Sequence, residues 1–177
     1  IGWEGMDSPL NADNWPLLSA SAIPWSGSNA TPKAMTRGDM DVIKAEFVSA
    51  TEMAGRAGFD MIELHAAHGY LISSFISPLS NVRDDEYGGD LVARTRFAVE
   101  LVSASRTRVG DHFPIIFRFS QWKQQDYNAR LAQTPEELNA FLAPLVEAGV
   151  DIFVSGSGIY KAEDPKKMIA DMKAVIG

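Results

Sequence analysis

Cysteine is absent from this 177-residue sequence. That excludes disulfides, thiolate metal sites and a cysteine nucleophile within these residues. Long apolar runs are absent too, and none approaches the roughly 18 residues that a membrane-spanning helix needs. The opening residues, IGWEGMD, offer neither a basic nor an apolar targeting segment. The first residue is Ile1 and not Met, so a processed or partial chain is expected. Positive charge is scarce, with 16 Lys and Arg against 23 Asp and Glu and a net charge of -7. This balance disfavours nucleic acid and an anionic membrane as partners, and a cytoplasmic setting is the default expectation. What is present is a 46% hydrophobic composition, enough for one domain with a sizeable core.

Residues 1–37 show no helical or strand period and read as a long loop. Trp3, Trp15 and Trp25 stand in it and are expected to pack it onto a core. A helix follows. Thr36 and Asp39 form a capping pair, Met40, Ile43, Phe47, Ala50 and Ala54 recur at helical spacing, and Gly58 ends it. Asp60 to His65 reads as a strand with Met61, Glu63 and His65 on one face and Ile62 and Leu64 on the other. Leu71 to Phe75 reads as a turn of helix, and Leu91 to Val109 as a long helix ended by Gly110. Pro114 to Ser120 is the next strand, with Ile115, Phe117 and Phe119 opposed to Ile116, Arg118 and Ser120. Residues 121–133 read as polar loop. Thr134, Pro135 and Glu137 start a helix whose apolar stripe is Leu138, Phe141, Leu142 and Leu145. Val150 to Ser155 is a third strand, SGSG a tight turn, and Asp164-Pro165 opens a last helix through Met168, Ile169 and Met172.

Strands alternating with helices imply parallel βαβ units. Each strand leads at its carboxyl end into a polar loop, HAAHGY, SQWKQQDYN or SGSGIY, and ligands bind at that end in barrels and open sheets alike. A closed eight-unit barrel usually needs on the order of 250 residues. The expected fold is therefore α/β, a partial (β/α)8 TIM barrel with about three parallel strands and their helices. Residues 1–37 are its preceding loop and residues 38–177 its βα units, in a single domain.

The chemistry gathers in Gly58 to Tyr70, GFDMIELHAAHGY. His65 and His68 converge only if the strand ends near His65 and the chain turns, which Gly69 permits. From spacing alone, three readings stay open: two structural histidines, a site for an anion or carbonyl, or a metal site, the last lacking a third ligand of recognisable spacing. Tyr70 is a phenolic proton donor or a packing residue. Arg118 stands in mid-strand and needs a partner, for which Glu63 on the same face of the preceding strand is the candidate. It then has a second capacity, to bind an electron-rich ligand. The run NVRDDEYGG, residues 81–89, reads as a solvated loop by composition.

These residues also resemble a known family. GFDMIELHAAHGYLISSFISPLSNVRDDEYGGDLVARTRF closely resembles the central signature of the Old Yellow Enzyme family of FMN-dependent oxidoreductases. PIIFRFS and GVDIFVSGSG resemble its next two strands. GWEGMDSPL and NWPLLSASAIPW are similar to one subgroup, the reductase part of bifunctional aryl-CoA monooxygenase/reductases acting on 2-aminobenzoyl-CoA or salicylyl-CoA. The resemblance implies an eight-stranded barrel with FMN at its mouth and NAD(P)H as reductant. It implies that His65 and His68 bind a substrate carbonyl or an anionic inhibitor, the second position being His or Asn in the family. It also implies that Tyr70 protonates the substrate α-carbon and that Arg118 lies beside the flavin N1/C2-carbonyl edge. No metal is implied.

The implied substrate is a small molecule, an enone or an aryl-CoA derivative. Counterparts of the first strands, the glutamine-bearing strand and the last two strands are lacking. Strands four to six are thus expected here, the rest of the barrel coming from a longer polypeptide or a homo-oligomer, and FMN is expected to bind poorly to the 177 residues alone. Two departures stand out. GGDLVAR (88–94) replaces the usual GGSLENR, removing polar groups at Val92 and Ala93, and the segment after Ser120 keeps only part of the family pattern, through Trp122 and Asp126 to Ala129. Rival activities are dienoyl-CoA reduction and amine dehydrogenation on a related flavin barrel. The rival from another class is a non-catalytic half-barrel acting as an assembly module.

Overall fold

The computed structural model describes residues 12–123, 126–160 and 162–176. GWEGMDSPL, with Trp3, lies outside them. The first described segment is loop except for β1 (Leu18–Ser19), which pairs in parallel with β2 (Lys33–Ala34). Then follow α1 (Arg37–Arg56), β3 (Ile62–Ala66), α2 (Leu71–Ile76), α3 (Leu91–Val109) and β4 (Ile115–Phe119). After these come β5 (Trp122–Lys123), β6 (Asp126–Arg130), α4 (Pro135–Glu147), β7 (Ile152–Val154), α5 (Ser157–Tyr160) and α6 (Pro165–Ile176).

Local chemistry explains most element limits. Thr36 and Asp39 form the anticipated capping box: Asp39 N–H donates to Thr36 Oγ1 at 3.2 Å and Thr36 N–H to Asp39 Oδ2 at 2.8 Å. Hydrogen bonds from Lys33 and Thr36 hold the Asp39 carboxyl down at about 2. At α3, Asp90 accepts from Ala93 N–H at 2.8 Å, so the start remains capped despite Val92 and Ala93. Gly110 ends α3 with a φ of 73°. Thr134 caps α4 and Pro135 occupies its first turn.

The main sheet has the order β3-β4-β7, and every pairing is parallel. One face of it carries Leu64, Ala66, Ile115, Phe117 and Phe119, all buried. The helices cover this face: Phe119 and Phe141 meet edge-to-face with centroids 5.2 Å apart, and α3 packs against α1, α2 and α4. The core is completed by Phe97, Leu101, Val102, Leu138, Leu142 and Leu145. The other face carries Glu63, His65, Ile116 and Arg118, each at least partly exposed. In a (β/α)8 barrel a face of this kind is the interior.

Several expectations need correction. Residues 122–123 and 126–130 are not loop, because they form the antiparallel strands β5 and β6. SGSG is not a bare turn, since α5 begins within it. On α1, Ala50 is exposed, and the buried position is Thr51, whose hydroxyl donates to Phe47 O at 2.8 Å. Trp15 is 84% exposed and packs on no core, and Ile169 on α6 is 39% exposed.

NVRDDEYGG is a loop whose charged middle, Asp84 to Glu86, is exposed as its composition implies, but Asn81 and Tyr87 are buried in it and, with Arg83, staple it to the rest of the chain. Asn81 is 5% exposed and donates from Nδ2 to Phe75 O at 2.6 Å and Tyr87 O at 2.7 Å. Tyr87 is buried, and its hydroxyl donates to Glu100 at 2.7 Å. Arg83 Nη1 reaches across the chain to Ala20 O at 2.9 Å and Met35 O at 2.7 Å. It thereby fastens both ends of the segment that contains Trp25.

Candidate active site

The site is built at the carboxyl end of β3. Ala67 O accepts from Tyr70 N–H at 3.2 Å, closing a four-residue turn. Its two central residues both have positive φ, 61° at His68 and 82° at Gly69. Two left-handed residues in succession reverse the chain sharply. The reversal brings three rings together. His65 lies 5.0 Å from His68 and 5.1 Å from Tyr70, centroid to centroid, each pair edge-to-face at 78°. Tyr70 then sets the start of α2, with its carbonyl accepting from Ser74 N–H at 2.8 Å. The turn is anchored on both sides, by Gly69 N–H donating to Ser73 Oγ at 3.2 Å and His68 N–H to Ser120 Oγ at 3.4 Å.

Gly69 also meets a close neighbour. A Cβ built there would lie 1.7 Å from Cζ3 of Trp25. The indole of the N-terminal segment therefore rests on the turn that carries the histidines. Gly69→Ala combines this clash with a left-handed φ. The expected cost is about 2–3 kcal/mol of stability, read as a lower thermal midpoint together with altered tryptophan emission.

The protonation of His65 follows from its contacts. Nδ1 accepts from Ala67 N–H at 3.1 Å. In the neutral ring the proton is then on Nε2, which is left as a donor. Partial burial, with His68 and Arg118 nearby, pushes His65 below the ordinary imidazole value of 6.5. Protonation is thus easier in the unfolded chain. The stability contributed by neutral His65 is complete above pH 6.5 and is lost as pH falls through the window down to the depressed folded value. Denaturant titrations across that window are expected to show the slope, and His65→Gln to remove its share of it.

Arg118 stands directly opposite His65 in the sheet register. Glu63 binds it with both oxygens, Oε1 at 2.7 Å from Nε and Oε2 at 3.0 Å from Nη2. The carboxylate raises the guanidinium pKa further. The two side chains keep 40% and 32% of their surface exposed, so the pair faces open space on the interior side. Nη1 has no partner among the described residues. The four residues singled out from sequence, His65, His68, Tyr70 and Arg118, thus gather at one end of β3 and β4. Trp25 and Ser120 join them, and no local motif marks either as a site residue. Their signal is tertiary contact, which the sequence order does not display.

The architecture and this cluster define a class: a (β/α) barrel with hydrogen-bond donors and a fixed cation at the carboxyl ends of adjacent strands. The chain matches the model of the NADH:flavin oxidoreductase / NADH oxidase family over residues 7–175 and belongs to that family. It is 39% identical over 166 residues to NADH:flavin oxidoreductase FG08077 of Gibberella zeae, covering 88% of this chain and 39% of that protein. It is 40% identical over 146 residues to an NADPH dehydrogenase of Clostridium acetobutylicum, covering 82% of this chain and 42% of that one. Among solved structures, morphinone reductase in complex with tetrahydroNAD superposes with a TM-score of 0.74 at 23% identity, over 89% of this chain and 46% of that chain. The chain therefore spans less than half the length of these relatives.

Proposed function

We propose that this chain is the central part of an FMN-dependent NAD(P)H oxidoreductase acting on an activated C=C bond. The remaining barrel strands are supplied by a longer polypeptide or by a second copy. The observation that carries the reading is the convergence of His65, His68 and Tyr70 beside Arg118. The relatives named NADPH dehydrogenase and NADH:flavin oxidoreductase support it. The reading includes a cytoplasmic setting.

The residues fit a flavin. Arg118 is a partly exposed cation on the interior face, held by Glu63, with one nitrogen directed away from that pair. Such a donor suits the electron-rich N1/C2-carbonyl edge of the isoalloxazine. A bound FMN, reduced by NADH or NADPH, would supply the hydride for the substrate β-carbon. The chain's own residues do the rest. His65, through Nε2–H, and His68 donate to the substrate carbonyl oxygen, drawing electron density from the alkene. Tyr70 holds a phenolic proton for the α-carbon. Neutral His65 serves as hydrogen-bond donor without placing a second full charge next to Arg118.

The substrate is an enone or an aryl-CoA derivative. Residues 14–25, NWPLLSASAIPW, resemble the reductase part of the bifunctional aryl-CoA monooxygenase/reductases and favour the latter. Trp25, from the same stretch, sits against the site turn. The test is anaerobic spectroscopy of the protein that carries this chain. Its visible flavin band is expected to bleach on adding NADPH or NADH and to return on adding an enone. A protein that stays colourless when saturated with FMN would remove the reading.

A further inference from the structure

The Glu63–Arg118 pair carries more than a structural link. A guanidinium on a long side chain has several rotamers, and on an exposed sheet face none is imposed by packing. Here both carboxylate oxygens fix the planar fork through Nε and Nη2, which leaves Nη1 with a defined direction. The strand register reinforces this. Glu63 lies opposite Ile116 and His65 opposite Arg118, so the arginine reaches back by one register step to its partner. Its charge is thereby held beside the histidine cluster and is partly offset by the carboxylate.

We propose that Glu63 is a positioning residue for the cofactor: it aims Arg118 Nη1 at the flavin and limits the positive charge the flavin experiences. The proposal rests on the flavin reading above. It makes two separable demands on Glu63, one on geometry and one on charge. Glu63→Gln keeps the length and one acceptor oxygen but removes the negative charge. Arg118 then acts as a fuller cation and favours the anionic reduced cofactor. Glu63→Leu removes both and releases the guanidinium.

The experiment uses the FMN-loaded protein carrying this chain and compares the dissociation constants of oxidised and reduced FMN. Thermal melting of each variant without FMN serves as the folding control. Wild type must bind FMN; if it does not, the flavin reading itself has failed and Glu63 is not at issue. With wild type binding, Glu63→Gln is expected to increase the preference for reduced over oxidised FMN by about tenfold, the factor that one unit of pKa-scale interaction represents. Glu63→Leu is expected to weaken oxidised FMN binding by at least a similar factor at unchanged apo melting temperature. An unchanged or lowered redox preference in Glu63→Gln overturns the charge role. Unchanged FMN affinity in Glu63→Leu overturns the positioning role.

Discussion

Tyr70→Phe in the flavin-loaded protein is expected to slow the alkene-reducing half-reaction by about 10²–10⁴-fold, the usual contribution of a positioned proton donor. The ring itself remains. It stacks edge-on against His65 at 5.1 Å, and nothing in that contact needs the hydroxyl. Tyr70 is 64% exposed, so losing the oxygen orphans no buried partner. The loss should therefore be confined to the step that consumes the proton. Flavin reduction by NAD(P)H should proceed at the wild-type rate, because Tyr70 donates nothing there. Stopped-flow measurement of the two half-reactions separates these effects. An alkene half-reaction as fast as wild type would take Tyr70 out of the chemistry.

The second large effect is on folding. Asn81→Ala is expected to cost about 3–5 kcal/mol, since each buried group left without a partner costs about 1–3 kcal/mol. Two carbonyls, of Phe75 and Tyr87, lose the Nδ2 donor, and Arg83 N–H loses its acceptor. Asn81→Asp provides the sharper comparison. It preserves shape but places a carboxylate oxygen against two carbonyl oxygens, so it should be at least as damaging as Ala. Urea unfolding monitored by circular dichroism measures both. If Asn81→Asp were the milder variant, the amide would not be the group that secures the loop.

These two residues also mark the limits of what the sequence discloses. Tyr70 was legible because its motif is local: a strand, two histidines, a glycine and a phenol within a few residues. Arg118 with Glu63 was legible because strand alternation puts both on one face, and parallel register brings them together. Helix limits were legible where caps are local, as at Thr36, Gly110 and Thr134. Asn81 and Arg83 were not. Beyond the local Arg83–Asp85 pair and the Arg83 N–H bond to Asn81, the partners that anchor them are backbone carbonyls, at Ala20, Met35, Phe75 and Tyr87, and any residue type supplies a carbonyl. Composition therefore reads the loop as solvated. The β5–β6 hairpin was hidden for a related reason: its residues are mostly polar and follow no apolar alternation.

The backbone of the site turn has a consequence for which amino acids its second histidine position accepts. With φ at 61°, position 68 lies in a region that most side chains avoid and that Gly, Asn, Asp and His tolerate best. Among these four, Gly has no side chain and ionised Asp has no proton to give. Asn and His remain as the residues that satisfy the dihedral angle and also donate a hydrogen bond. Chain conformation thus narrows the residues suited to this position before any chemistry is considered. A Gln or Lys there, though chemically able to donate, would hold the turn at a cost of about 1–2 kcal/mol.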